Sequence, residues 1–218
     1  MDGKHVRIDP PMRSGSMYYN YKDFFSIVLL AIVDAQLRFI YVDIGTNGRA
    51  SDRGIWNNCA FKQCMDSQKI PFPGPSRLPG TEEESPFVIV GDEGFTLSEN
   101  LLIPYPKDAV ANRRDRRIFN CRLSRARRCS ENAFGVMGAR FQIFMHRTQA
   151  VGRAMYTPPN ILDIEDEVSG TIQLGEYRQE PAHDLVRLAN QGRNRHANAA
   201  IELRERVCEY LNTVGRVP

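Results

Sequence analysis

Three acids stand at positions where they could do chemistry. Asp2 opens "DGKHV", Asp92 follows the apolar run "FVIV" and a glycine, and Glu131 lies in "RLSRARRCSENAFG" directly behind a crowd of arginines. Carboxylates that converge repel one another, and each is costly to ionise unless a cation neutralises the group. Hard divalent cations do this with oxygen ligands; Mg²⁺ takes a few carboxylates and keeps several waters. Two such ions a few ångströms apart activate the attacking oxygen and stabilise the leaving one in phosphodiester cleavage. Arg122, Arg125 and Arg128, on the same predicted helix as Glu131, are placed to hold phosphates beside such a centre. The same residues have plainer uses as solvated or capping carboxylates and as a charged helix face.

The elements that would position these acids follow from the hydrophobic pattern. Asp2 to Ile8 reads as a short strand, then "PPMRSGSMYYNYK" as a loop rich in turn formers. Phe24 to Val33 and Phe39 to Gly45 are rich in β-branched and aromatic residues and read as two strands joined by the polar turn "DAQLR". The first of these is apolar on both faces, which predicts a central strand covered on both sides by helices. After Gly45 the apolar residues Ile55, Cys59, Phe61 and Met65 predict one helix, with Ser51 or Asp52 at its start.

The segment from Ile70 to Pro86 holds five prolines and reads as an exposed loop, a Pro-rich insertion over about 66–86 that carries no evident chemistry. Phe87 to Val90 predicts a short strand, and an acid just past its end sits where open α/β sheets bind ligands. "IPYP" reads as a loop. In the basic helix, Leu123, Ala126, Ser130, Ala133 and Met137 form one small-to-apolar face, with Glu131 next to it. "DIEDEVSG" reads as an acidic link, and the chain from His196 onward as an amphipathic helix with Ile201, Val207 and Leu211 on related turns. No internal repeat is evident.

The bulk properties are consistent with this. The 218 residues suffice for a substantial core, and eight arginines between Arg113 and Arg128 concentrate a formal charge of only +3 into one basic block. Five cysteines without a CxxC pair fit reduced, structural thiols inside a cell better than disulfides or a zinc site. The longest apolar run, Phe24 to Val33, falls short of the roughly 20 residues a bilayer requires.

Taken in order, "DGKHV", "SGSMYYNYKDFFSIVLLAIVDA", "VDIG" with "GRASD", "VIVGDEGF", "IPYP", "IFNCRLSRARRCSENAFG" and the late "LRERVCEYL" resemble the nuclease domain of Harbinger-type DDE transposases and the host nucleases derived from them. The resemblance covers nearly the whole chain. It implies an α/β, RNase H-like mixed sheet flanked by helices, with a nuclease domain over 1–150 and an extension over 151–218 whose final helix packs on it. It implies catalytic and metal-binding roles for Asp2, Asp92 and Glu131, Mg²⁺ or Mn²⁺ as cofactor, DNA as substrate and a nuclear location. Asp52 matches a further acid of the family. His5 and Lys4 accompany the first acid, His5 as a structural hydrogen-bonding group.

Relatives carry a helical DNA-binding region ahead of the first acid, whereas Met1 here directly precedes Asp2. Target recognition is therefore expected from a separate partner protein, and Asp2 is expected to fray as chain ends do. Two functions follow: a two-metal DNA endonuclease, in which water or a DNA 3′-hydroxyl attacks the phosphodiester, or a module that binds DNA or a protein without cutting.

Overall fold

The computed structural model describes residues 1–67, 69–70, 72–144, 146 and 193–215, with side chains in the last stretch from Asn198 onward. The chain opens with β1 (Asp2–Arg7), β2 (Ser26–Val33) and β3 (Phe39–Asn47), an antiparallel sheet in the order β1-β2-β3. Asp2 pairs with Ala31 and Arg7 with Ser26, while Ile27 pairs with Asn47 on the other side. Asp2 is thus held in a ladder rather than frayed. The β2–β3 turn closes on Asp34, whose Oδ1 accepts from the backbone nitrogens of Gln36 and Arg38, both at 2.9 Å.

Two short helices follow, α1 (Asp52–Asn58) and α2 (Ala60–Asp66), where one was expected. The break falls at Cys59, whose extended backbone (φ −73°, ψ 149°) ends α1 and caps α2, its sulfur accepting from Lys62 N at 3.5 Å. The Pro-rich stretch is a loop except for a small hairpin, β4 (Ser76–Arg77) against β5 (Glu84–Ser85); Pro71 lies outside the described residues. Next come β6 (Ile89–Val90) and β7 (Leu101–Leu102), paired in parallel. The predicted strand is shortened to β6, and β7 had no expected counterpart.

Three helices complete the described chain: α3 (Lys107–Val110), the 27-residue α4 (Arg114–Arg140) and α5 (Arg193–Asn212). A single 3-10 turn, Gln142–Phe144, follows α4. The expected acidic link "DIEDEVSG" lies outside the described residues.

Alternation along β2 sorts the core into layers. Val28, Leu30 and Ile32 point to one face and pack with Ile55, Trp56, Phe61 and Met65 of α1 and α2. Leu29 and Ala31 point to the other and pack with Val6 and Phe134 of α4. The central strand is therefore covered on both sides, as its two-faced apolarity predicts, and the chain is an α/β protein.

On α4 the buried face is Phe119, Leu123, Ser130, Ala133 and Phe134; Ala126, expected there, is exposed. Leu123 and Phe119 form a second cluster with Leu102, Tyr105 and, from α5, Leu203 and Cys208. Ile201 of α5 is exposed, and Ala200 and Leu203 take the place expected of it. All five cysteines are free.

Candidate active site

The site is built where β1 begins and β6 ends. The Met1 nitrogen donates to the Val90 carbonyl at 2.7 Å, and Gly91 N donates to Leu102 O at 2.9 Å, so β1, β6 and β7 follow one another across this edge. Asp2 is the first residue of β1 and Asp92 the second after β6, which brings the first and second predicted acids beside each other. Asp92 is fixed by a local turn, its Oδ1 accepting from Gly94 N at 2.9 Å.

Asp52 joins them from α1. Ser51, not Asp52, caps that helix, its Oγ accepting from Gly54 N at 3.2 Å. That frees Asp52 to lie on the backbone of β1: a β-carbon at position 3 would stand 2.5 Å from Asp52 Oδ1, so a side chain there would push the carboxylate aside.

The electrostatics record this gathering. Burial raises the Asp2 carboxyl above the usual carboxylate range, and Asp92 adds to the rise, while the Arg127 guanidinium and the Gly3 N–H oppose it. Burial also raises Asp52, reinforced by the charges of Asp92 and Asp2 and opposed by Lys22. Three aspartates from three elements thus share one field.

Glu131 is tied in through an arginine that sequence reasoning passed over. Arg127 Nη1 lies 3.2 Å from Asp92 Oδ2, and its Nη2 reaches Glu131 Oε1 over a long 3.5 Å. Arg127 and Glu131 are four residues apart, hence neighbours on one helix face; that spacing is the signal that could have found it. The three arginines chosen from sequence behave differently. Arg122 Nη1 donates to the Gly215 carbonyl at 2.6 Å, whereas Arg125 and Arg128 are exposed.

Asp92 and Arg127 also border a cleft of about 280 Å³ between the end of β6 and α4, with Glu93 and Ser124 on its walls. His5 stands apart from the acids, its Nδ1 2.9 Å from the buried Ser26 Oγ, the structural role expected of it.

Over residues 1–164 the sequence matches the family model described as DDE superfamily endonuclease. The chain belongs to that family. The "Protein ALP1-like" of Arabidopsis thaliana is 30% identical over 146 residues, 66% of this chain but 35% of that protein. The chain thus spans about a third of the length of this relative, and no solved structure matches it.

DDE endonucleases generally use divalent metals. The donor chemistry fits such an ion, since Asp2, Asp52, Asp92 and Glu131 offer only hard oxygens and the first two already resist ionising. Among the described residues, however, no three His, Cys, Asp or Glu side chains stand close enough to hold a metal ion together. Between Asp92 and Glu131 the positive charge is supplied by Arg127.

Proposed function

We propose that this chain is the metal-dependent DNA endonuclease domain of a protein descended from a Harbinger-type transposase, with an RNase H-like sheet. The observation that carries the proposal is the convergence of Asp2, Asp52 and Asp92 on one edge, with Arg127 linking Asp92 to Glu131 on α4. Asp2, Asp92 and Glu131 would hold Mg²⁺ or Mn²⁺, with Asp52 assisting beside Gly3. The bound ions would supply an activated oxygen nucleophile and charge stabilisation at the phosphodiester.

The chain's own residues do the positioning. β1 and β6 fix two carboxylates on rigid backbone, and the Gly94 N–H orients Asp92. Arg127 balances the negative charge of Asp92 and Glu131, and its guanidinium is suited to a non-bridging phosphate oxygen once those carboxylates engage a cation. Arg125 and Arg128 are exposed to take backbone phosphates along the outer face of α4. A separate DNA-binding protein would supply target recognition, and the site of action would be the nucleus. Among the described residues no helix is long and apolar enough to cross a membrane.

Plasmid nicking with added Mn²⁺ tests the reading. The intact chain should convert supercoiled to open-circular DNA, and Asp92→Asn and Glu131→Gln should each lose at least about a hundredfold in rate, as loss of a group acting in the transition state does. Equal activity in all three rejects the chemistry. A second reading, a module that binds DNA or a protein without cutting, is favoured by the ion pairs that hold Arg127 among the acids. It predicts no nicking by any of the three.

A further inference from the structure

Tyr21 and Lys22 stand at the tip of the β1–β2 connection, a segment the carboxylate chemistry leaves unused. Large apolar side chains are exposed along it: Met12 at 94%, Met17 at 53%, Tyr19 at 41% and Tyr21 at 79%. Their exposure does not come from a slack loop. Ser26 N donates to Tyr18 O at 2.8 Å, Asn20 N to Phe24 O at 3.0 Å and Lys22 N to Asn20 Oδ1 at 2.8 Å. Asn20 is itself buried and donates to Ser26 Oγ at 2.8 Å, anchoring the tip to the start of β2. Asp23, at φ 63°, turns the chain back and leaves Tyr21 and Lys22 projecting.

One edge of the Tyr21 ring is set by His5, whose ring meets it edge-to-face with centroids 5.4 Å apart. Lys22 Nζ lies 5.3 Å from the centroid of the same ring. The Lys22 charge reaches back to the site: it opposes the burial that raises the Asp52 carboxyl, and it adds to the burial that lowers the His5 imidazole. From Arg127 through Asp92, Asp2 and Asp52 to Lys22 each charge acts on the next, and the Tyr21 ring lies beside Lys22.

We propose that Tyr21 stacks on an unpaired nucleobase next to the phosphodiester held at the carboxylates, and that Lys22 takes that nucleotide's phosphate. A rigid, exposed aromatic with an adjacent ammonium is the unit that binds single strands without reading sequence, because every base has a π-face. A partner protein of apolar chemistry would not require the ammonium over the ring or its reach to the acids. The inference rests on the nuclease reading for its substrate, and its test does not require cleavage.

The test is fluorescence anisotropy of the full chain with a short dye-labelled single-stranded oligodeoxynucleotide and its blunt duplex, in EDTA. Tyr21→Ala should weaken single-strand binding roughly tenfold, Tyr21→Trp should retain it, and Lys22→Ala should flatten the dependence of log affinity on log salt by about 0.7. Circular dichroism of Tyr21→Ala should match the unmodified chain, since the ring is exposed. Unchanged affinity in Tyr21→Ala, a loss that tryptophan does not restore, or no single-strand binding by the unmodified chain would each overturn the proposal. Nicking that is indifferent to Asp92→Asn would remove the nuclease reading while leaving this result standing.

Discussion

Carboxylates side by side in a half-buried hollow resist ionising together, and Asp52 meets this from two directions. Burial raises its proton affinity first, and the charges of Asp92 and Asp2 add to it. Because its folded-state affinity lies above that of the unfolded chain, its contribution to stability is complete below the ordinary carboxylate range and is lost as pH rises through the folded value. Asp52→Asn removes that charge. In EDTA the variant should therefore melt close to the unmodified chain at pH 3, and its advantage in Tm should grow as pH rises and then level off by neutrality. Thermal unfolding at a series of pH values checks this, and an advantage independent of pH would show that Asp52 is not part of the carboxylate field. Arg127 bears on the same balance from the opposite sign, as the nearby cation that lowers Asp2 and pairs with Asp92.

At the scale of elements, the site depends on α4 lying flat against the sheet. Phe119 and Phe134 hold it at two places: Phe119 is fully buried, with its ring edge-on to Tyr105 at 5.2 Å, and Phe134 packs beneath β2. Phe119→Ala should cost about 3–5 kcal/mol, the usual range for a buried aromatic cut to a methyl group, read from the midpoint of urea unfolding. A loss under about 1 kcal/mol would mean that this end of α4 is not anchored by the ring. The strand β2 was legible because a two-faced apolar run leaves little choice of position, β3 because β-branched and aromatic residues crowd its first half, and the basic helix because its small and apolar residues recur on one face. The break at Cys59 was not, since its extended backbone gives no composition signal and Phe61 and Met65 continue the helical spacing. Two-residue β7 is too short for any period, and it is defined only by its parallel partner β6. Asp2 and Asp92 could be placed from strand ends; the spacing to Glu131 marks Arg127 as its helix neighbour, but its pairing with Asp92 required knowing which face of α4 turns to the acids. That depends on packing of Leu123 and Ser130, not on how many arginines the helix carries.

Across the whole molecule a net charge of +3 conceals a division of labour. The edge formed by β1, β6 and α1 is acidic, and a phosphate backbone approaching it alone would be repelled. The outer face of α4 is the opposite, with Arg114, Arg117, Arg125 and Arg128 all exposed. On the proposed function, a duplex would lie along that flank while a strand end reaches the acids, with affinity and chemistry on different faces. Each phosphate neutralised on duplex DNA contributes about 0.9 to the slope of log affinity against log salt. Replacing Arg125 and Arg128 together by alanine should therefore lower the magnitude of that slope by about 1.8, in EDTA so that no cleavage intervenes. Arg122 is excluded from the pair because its guanidinium holds the Gly215 carbonyl, and its loss would disturb the turn after α5. Titrations at several salt concentrations decide the matter: a slope that does not change places the duplex on some other face, and the acidic edge would then have to be reached without help from α4.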